Sequence, residues 1–275
     1  MKTTETTDSR YTVLIMAANR HGINNRVARM AGTSHKCVVS IAGIAMIERV
    51  LNTIEAWGRA KRILVSIEDP AVLDLVPNVA AMRDAGRITV TQSGQTLTQS
   101  VLTAAEGLGD DDFPLLITTG DNVLHTPEII EDFCKGVEAA GADVGFALTP
   151  YTAVAAKYPE DAPRVGYMTF AEGQHSNCNI YILRSPRVLP VVRTMQHGGQ
   201  FRHHPMRIVK AFGIISMIKY KLGIARIRDI KNRLERLFGV TVEPVLLPHA
   251  DAPIDVDTVV SYTLAERILK AREGA

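Results

Sequence analysis

A loop rich in basic residues follows the first apolar segment of the chain and could bind phosphate. The apolar run 13–18 is typical of a strand buried on both faces, and the loop 19–36 after it contains no acidic residue. Its cations are Arg20, Arg26, Arg29 and Lys36. Backbone N–H groups and arginine side chains in such a loop suit the oxygens of an anion, and the alternative is a solvated basic loop.

Carboxylates at two later positions could hold a divalent cation. Asp121 follows the apolar run 114–119 after a single glycine, Gly120, and Asp255 and Asp257 precede the last helical segment. In an extended stretch Asp255 and Asp257 point the same way, and Mg²⁺ prefers carboxylate oxygens. The alternative is structural, with Asp121 capping a turn and Asp257 or Thr258 capping the helix.

Alternating apolar runs and helical patterns must position these side chains. Strands are predicted at 13–18, 62–67, 87–91, 114–119 and 143–149, with helical patterns at 44–57, from Asp69-Pro70, at 98–108 and from Thr126. This alternation predicts βαβ units in a mainly parallel sheet, whose ligands bind beyond the carboxyl ends of the strands.

The regular alternation of strand and helix patterns ends after Pro150. Strands are expected at 166–170 and 179–183, mostly helix from 186 to 236, a strand at 241–247 and a helix at 261–272. We therefore expect one α/β domain over residues 1–275, with a nucleotide-binding half at 11–150 and an acceptor-binding half at 151–275. A helical insertion is expected at about 187–238.

Composition excludes several classes of protein. The chain of 275 residues has a net charge of +2, 46% apolar residues and three scattered cysteines, so a disordered chain, a disulfide scaffold and a cysteine zinc site are disfavoured. The polar start and the lack of a long apolar run predict a cytoplasmic protein without a transmembrane segment. The near-zero charge argues against nucleic-acid binding.

Two familiar nucleotide-binding motifs are absent from the sequence. It contains neither G-x-x-x-x-G-K-[ST] nor G-x-G-x-x-G after the first strand, which argues against a kinase and against a nicotinamide-dependent enzyme.

The segment 196–236 is strongly basic, with ten Lys and Arg residues against Asp229 and Glu235. Three interpretations stay open. The first is a buried helix with cationic ends, and the second is a pocket for an acceptor phosphate. The third is a basic, apolar surface for a membrane or a lipid substrate. In the second interpretation the contacting residues are Arg202, His203, His204 and Arg207.

Taken in order, these motifs resemble the molybdenum-cofactor guanylyltransferase-like nucleotidyltransferase superfamily, which includes sugar-phosphate and alditol-phosphate cytidylyltransferases. The sequence Met16-Ala17-Ala18-Asn19 is similar to the family's L-A-A-G, Arg29-Met30 to R-M, His35-Lys36 to P-K, and residues 43–50 to G-x-P-M-[IL]-x-x-V. Later similarities are Gly120-Asp121 to G-D, residues 177–181 to N-T-G-[IV]-Y, and residues 257–262 to D-T-P-E-D-L. Residues 94–101 resemble G-x-x-R-x-x-S-V of methylerythritol-phosphate cytidylyltransferases, with Leu97 at the arginine position.

The resemblance implies a three-layer, Rossmann-like fold of the GT-A type and a specific set of roles. Lys36 and Arg29 would neutralise phosphate charge, and Mg²⁺ would be held by Asp121 and Asp257, with Asp255 either supporting these ligands or serving as an alternative ligand. Nucleotide contacts are implied for Ala17, Ala18, Asn19, Arg20, Arg26, Gly94 and Ser100, and an acceptor contact is implied for Asn177. In the acceptor-pocket interpretation of the basic segment, Arg202, His203 and Arg207 contact the acceptor as well.

The implied reaction transfers NMP from an NTP to a phosphorylated small-molecule or lipid-precursor acceptor and releases pyrophosphate. CTP is favoured by residues 94–101, and GTP is next. Two alternatives stay open: a GT-A glycosyltransferase that uses a nucleotide sugar, and a non-catalytic nucleotide-binding regulatory protein. A homo-oligomer and a peripheral membrane contact also stay open.

A substitution in the basic segment separates its interpretations. If Arg202 contacts the acceptor, Arg202→Ala raises the KM for the acceptor and leaves the KM for the NTP nearly unchanged. Steady-state kinetics with each substrate varied in turn measures both constants. An effect confined to the NTP would contradict the acceptor role.

Overall fold

The computed structural model describes residues 10–19, 25–195, 219–220 and 222–274. Most strands of this part of the chain form one mixed sheet, and β2 and β3 form a separate hairpin. The strands are β1 (Tyr11–Met16), β2 (Ser40–Ile41), β3 (Ile44–Ala45), β4 (Ala60–Ile67), β5 (Thr89–Gln92), β6 (Leu115–Thr119), β7 (Val144–Pro150), β8 (Met168–Phe170), β9 (Gly173–Leu183) and β10 (Val242–Leu246).

The order of the strands in the sheet is β10-β7-β9-β6-β1-β4-β5, with β8 paired to β9. Pairs β6–β1, β1–β4, β4–β5 and β10–β7 are parallel, whereas β9 runs antiparallel to β6, β7 and β8. The mainly parallel α/β sheet expected from the alternating pattern is therefore confirmed, with β9 as the strand that reverses direction.

Helices cover both faces of the sheet. They are α1 (Arg26–Met30), α2 (Met46–Trp57), α3 (Pro77–Asp84), α4 (Leu97–Ala105), α5 (Pro127–Ala140), α6 (Tyr151–Lys157), α7 (Leu189–Met195), α8 (Ile227–Phe238) and α9 (Val259–Glu273). Val13 and Ile15 of β1 pack with α2, α3 and α5 on one face, while Leu14 and Met16 pack with α4 on the other. This alternation along a fully buried strand produces the three layers.

The segment after β4 differs from the expected single helix. Asp69 caps a short 3₁₀ helix, Pro70–Leu75, by accepting a hydrogen bond from the Ala71 N–H at 3.1 Å, and α3 begins separately at Pro77. Val76 between them is extended, because a residue before proline is driven out of the helical region. The sequence correctly predicted that a helix starts at Pro70, but it did not predict the break between the 3₁₀ helix and α3.

Of the expected helical insertion, the structure describes residues 187–195, 219–220 and 222–238, which include α7 and α8. The division of the chain into halves stays a prediction. Among the described residues, none of the helices combines the length and apolar character needed to cross a bilayer.

Gly145 of β7 allows α5 to pack closely on the sheet. A Cβ atom there would lie 2.3 Å from Val137 Cγ2 and 3.1 Å from Val137 Cγ1. Because Val137 is buried and β-branched, Gly145→Ala should lower the free energy of unfolding by about 1–3 kcal/mol. Urea denaturation measures this value. Gly107→Ala is the matched control, since no atom lies within 4 Å of its added Cβ, and equal losses in both variants would contradict the packing argument.

Candidate active site

The candidate site lies at the carboxyl ends of the central parallel strands. Met16 of β1 is in register with Thr119 of β6 and with Ser66 of β4, so all three strands end at one edge. The Ala17 N–H donates to the Ser66 carbonyl at 2.9 Å, and the Gly120 N–H donates to the Met16 carbonyl at 2.9 Å. These bonds place the segments that follow the strands side by side.

Asp121 is fixed by the turn that follows β6. The Thr119 hydroxyl donates to Asp121 Oδ1, and the Asn122 N–H donates to the Thr119 carbonyl at 3.3 Å. The Asp121 carbonyl in turn accepts from the Val256 N–H at 3.2 Å. This last bond ties the stretch before α9 directly to the Asp121 loop.

Asp255 and Asp257 alternate with buried apolar residues on that stretch. Ile254 and Val256 are buried, which turns both carboxylates toward the opposite side, as their spacing predicts. The α9 cap is Thr258, whose hydroxyl accepts from the Ser261 N–H at 3.1 Å. Asp257 Oδ1 instead accepts from Lys36 Nζ at 2.5 Å.

Lys36 joins the two acidic segments. Its ammonium also donates to Asp121 Oδ2, and only 17% of its side chain is exposed. Burial alone would lower the pKa of Lys36, but the carboxylates of Asp121 and Asp257 outweigh burial and raise it. The lysine is therefore a fixed positive charge at neutral pH.

The three carboxylates form a compact oxygen donor set. Asp121, Asp255 and Asp257 each place an oxygen within 4.8 Å of the others. Burial raises the pKa of Asp255 to about 7, and the neighbouring charges of Asp121 and Asp257 add to this shift. Carboxylate oxygens are the donors that Mg²⁺ prefers, and the Lys36 ammonium between two of them shows that the cluster accommodates a cation.

A glutamate holds the two ends of the basic loop together. Glu68 Oε1 accepts from the Asn19 N–H at 3.0 Å and lies 3.1 Å from His35 Nε2. The Asn19 side-chain amide donates to the Ser34 carbonyl at 2.9 Å. Glu68 was not predicted as a site residue, although it directly follows an apolar strand and the rule that found Asp121 applies equally to it.

Comparison with known proteins identifies the family. The family model of the MobA-like NTP transferase domain matches residues 14–211, well over half of the chain. The chain belongs to this MobA-like NTP transferase family. The expected nucleotidyltransferase activity class and the Rossmann-like nucleotide-binding fold are thereby confirmed. A search of curated protein sequences finds no match.

Solved structures share the fold of this NTP transferase. A hypothetical transferase from Thermus thermophilus is 23% identical with a TM-score of 0.73, covering 92% of this chain and 99% of its own. A CMP:2-keto-3-deoxy-manno-octonic acid synthetase complexed with CTP is 14% identical, with a TM-score of 0.58 and coverages of 96% and 100%. The 4-diphosphocytidyl-2C-methyl-D-erythritol synthase from Anaerococcus prevotii is 11% identical, with a TM-score of 0.59 and coverages of 96% and 99%.

The other residues predicted to contact the nucleotide lie around the same edge of the transferase. Ala17 is buried and Ala18 partly buried directly after β1, while Arg26 and Arg29 are exposed on α1. The Gly94 N–H donates to Ser100 Oγ at 2.9 Å, and a Cβ on Gly94 would lie 2.4 Å from Gln99 Cβ, so only glycine fits there. Their contacts with a nucleotide stay predictions, and Arg20 lies outside the described residues.

On the side predicted to bind the acceptor, Asn177 lies on β9 beside the acidic cluster. Its side-chain amide donates to Asn179 Oδ1 at 3.2 Å and to the Tyr181 hydroxyl at 2.5 Å. Asn179 Nδ2 donates to Asp255 Oδ2 at 2.9 Å. Asn179 was not among the predicted site residues. Arg202, His203 and Arg207 lie outside the described residues.

His125 links two segments that carry residues of the acidic cluster. The imidazole is buried, and its Nε2 donates to the Ala252 carbonyl at 3.0 Å, which links the segment after Asp121 to the segment before Asp255. Burial lowers the pKa of His125 to about 4, against the carbonyls of Ala252 and Cys178 and the Asp121 charge, which act to raise it. The folded protein therefore keeps this imidazole neutral.

The lowered pKa predicts a loss of stability in acid. Below about pH 6.5 the unfolded chain protonates His125 while the folded chain does not until about pH 4, so stability present near pH 7 is lost as the pH falls between these values. From pH 7 to pH 5 the free energy of unfolding should fall by about 1–2 kcal/mol more in the wild type than in His125→Gln. Urea denaturation at both pH values measures this difference, and identical pH dependence in both proteins would contradict it.

Proposed function

We propose that this transferase carries out Mg²⁺-dependent transfer of an NMP group from an NTP to a phosphorylated small-molecule or lipid-precursor acceptor, with release of pyrophosphate. The observation that carries the proposal is the Lys36 ammonium held between Asp121 and Asp257. A nucleotidyl transfer needs a fixed cation for phosphate and carboxylates for a metal ion at one place. The site provides both within one hydrogen-bonded cluster.

Asp121 and Asp257 are the proposed ligands of Mg²⁺, with Asp255 as a third or alternative ligand. The ion would neutralise charge on the α-phosphoryl group when bound. The protein's own contribution is orientation. The Thr119 hydroxyl fixes one oxygen of Asp121, and the Val256 N–H bond to the Asp121 carbonyl fixes the distance between the two acidic segments.

Lys36 and Arg29 are the proposed cations for the triphosphate. Because the Lys36 side chain is mostly buried, its ammonium needs little further ordering when it contacts an α-phosphoryl oxygen. Arg29 and Arg26 are exposed on α1 and could reach the more solvated β- and γ-phosphates. The Asn25 side chain caps α1 by accepting from the Val27 and Ala28 N–H groups, which fixes the start of this helix.

The attacking group in this proposal is a phosphate oxygen of the acceptor. A bond forms between that oxygen and the α-phosphorus, and the bond from the α-phosphorus to the pyrophosphate oxygen breaks. A phosphate monoester carries about −1.5 to −2 charge at pH 7, so the attacking oxygen needs no general base. The protein's part is therefore positioning and charge neutralisation.

CTP is the proposed donor, with GTP next. Residues 94–101 support CTP through their resemblance to cytidylyltransferases, and the Ser100 hydroxyl fixes the Gly94 backbone where the base is expected. The similarity to a synthetase complexed with CTP also supports this choice. Three free, buried cysteines support a reducing compartment, and we place the protein in the cytoplasm.

A screen of the four NTPs against phosphorylated acceptors tests the proposal, with pyrophosphate release as the readout. Pyrophosphate formed only when Mg²⁺, NTP and acceptor are all present would support it. Release of a nucleoside diphosphate from a nucleotide sugar would favour a glycosyltransferase instead. Nucleotide binding without metal-dependent turnover on any acceptor would favour a non-catalytic role.

Removing either charge at the centre of the cluster should slow turnover. Lys36→Ala or Asp121→Ala is expected to lower kcat by about 10²–10³, the scale for the loss of one preorganised electrostatic group. Lys135→Ala is the matched control, because that lysine is 63% exposed on α5 and pairs with Glu131 of its own helix. Near-normal kcat in both site variants would contradict the proposed roles.

A further inference from the structure

Asn179 has a left-handed backbone conformation. Its φ is +53°, and Ala42 is the only other non-glycine residue with positive φ among the described residues. Left-handed backbone is uncommon outside glycine, although asparagine tolerates it better than most residues. Such a conformation persists where the surroundings impose it, and it often marks a functional site.

An irregularity in the sheet places Asn179 in this position. Between β7 and β9 the register shifts, since Phe146 pairs with Tyr181 while Leu148 pairs with Asn177. One residue of β7 therefore stands opposite three residues of β9, with Asn179 at their centre. Bulges of this kind bend a strand and redirect a side chain, and they are frequent next to active sites.

The redirected side chain reaches the acidic cluster. Asn179 Nδ2 donates to Asp255 Oδ2 at 2.9 Å, which leaves Asp255 Oδ1 for another partner. On its other side, the Asn179 N–H donates to Asn177 Oδ1 at 3.2 Å, and the Asn177 amide donates back to Asn179 Oδ1 at 3.2 Å. Asn177 and Asn179 are thus hydrogen-bonded to each other, and Nδ2 of Asn179 also donates to Asp255.

We propose that Asn179 is a positioning residue that orients the Asp255 carboxylate for the divalent cation and couples it, through Asn177, to the acceptor side of the site. The proposal rests on the proposed function, in which Asp255 is a metal ligand. An amide that donates to one carboxylate oxygen fixes the rotation of the carboxylate and presents the other oxygen in a constant direction. Partners that orient metal ligands in this way influence metal affinity strongly.

Glycine at position 179 separates this role from a structural one. Glycine adopts positive φ without strain, so Asn179→Gly should fold with unchanged or increased resistance to urea while it loses the amide. We expect its dissociation constant for Mn²⁺ alone, measured by electron paramagnetic resonance titration, to rise about tenfold. At limiting Mg²⁺ its turnover should fall, and saturating Mg²⁺ should restore most of it.

Ala42→Gly is the matched control, because it relieves the same backbone conformation in the turn between β2 and β3. This variant should bind Mn²⁺ like the wild type. The double variant Asn179→Gly/Asp255→Ala should bind Mn²⁺ no more weakly than Asp255→Ala alone, because Asn179 acts through Asp255. Additive losses in the double variant would contradict this pathway.

Two results distinguish a failure of this inference from a failure of the proposed function. If the wild type binds Mn²⁺ and shows Mg²⁺-dependent turnover while Asn179→Gly has the same dissociation constant, the positioning role alone is wrong. If the wild type neither binds Mn²⁺ nor requires Mg²⁺ for turnover, the metal site of the proposed function and the role of Asn179 are both wrong.

Discussion

The candidate site depends on the ammonium group of Lys36, whose side chain is mostly buried. Lys36 Nζ contacts Asp121 and Asp257, which lie 85 and 221 residues away in the chain. Partial burial of Lys36 and Asp121 reduces the screening of these two charges by water, whereas the Asp257 side chain is 62% exposed. Two clustered carboxylates repel each other, so a cation between them favours the folded arrangement. The part-buried Lys36–Asp121 pair is the costlier of the two to break from one side, because the remaining charge would stay uncompensated in a partly desolvated place. The same contact that stabilises the loop after β1 therefore also sets the charge and spacing of the site.

The scaffold makes this contact possible through strands that end together. The parallel pairs β6–β1 and β1–β4 bring Asp121, Lys36 and Glu68 to one edge, since the carboxyl ends of parallel strands share a side of the sheet. The stretch before α9 is not a strand of the sheet, and among the described residues two hydrogen bonds tie its backbone to the segment that follows β6. They are the Val256 N–H bond to Asp121 and the His125 bond to Ala252. Two of the three carboxylates, Asp255 and Asp257, therefore lie on irregular backbone that is held by individual hydrogen bonds and not by strand pairing.

Sequence reasoning recovers the parts of this arrangement that follow from local chemistry. The apolar runs predict the sheet because a strand buried on both faces needs apolar residues throughout, and the position of Asp121 follows from the end of such a run. The orientation of Asp255 and Asp257 follows from the period of extended backbone. Glu68 and Asn179 were missed for different reasons. The rule for strand ends already covers Glu68, whereas Asn179 reaches Asp255 only because the register of β9 shifts by a bulge. A register depends on pairing across the sheet, which a single sequence does not display.

Charge distribution connects the free protein to the reaction proposed for it. The net charge of +2 averages a basic loop at 19–36 and a basic segment at 196–236 with an acidic remainder. Within the site, the Lys36 ammonium already pairs with the carboxylates of Asp121 and Asp257, and Glu68 accepts a hydrogen bond from the Asn19 N–H. Under the proposed function, a nucleotide bound together with a divalent cation would offer a new partner both to the carboxylates and to Lys36. With the cation bound, Asp121 and Asp257 would hold it, and Lys36 would pair with a phosphate oxygen in place of a carboxylate. Because Lys36 and the carboxylates would each keep a partner of opposite charge, this exchange would leave none of these partly buried charges uncompensated.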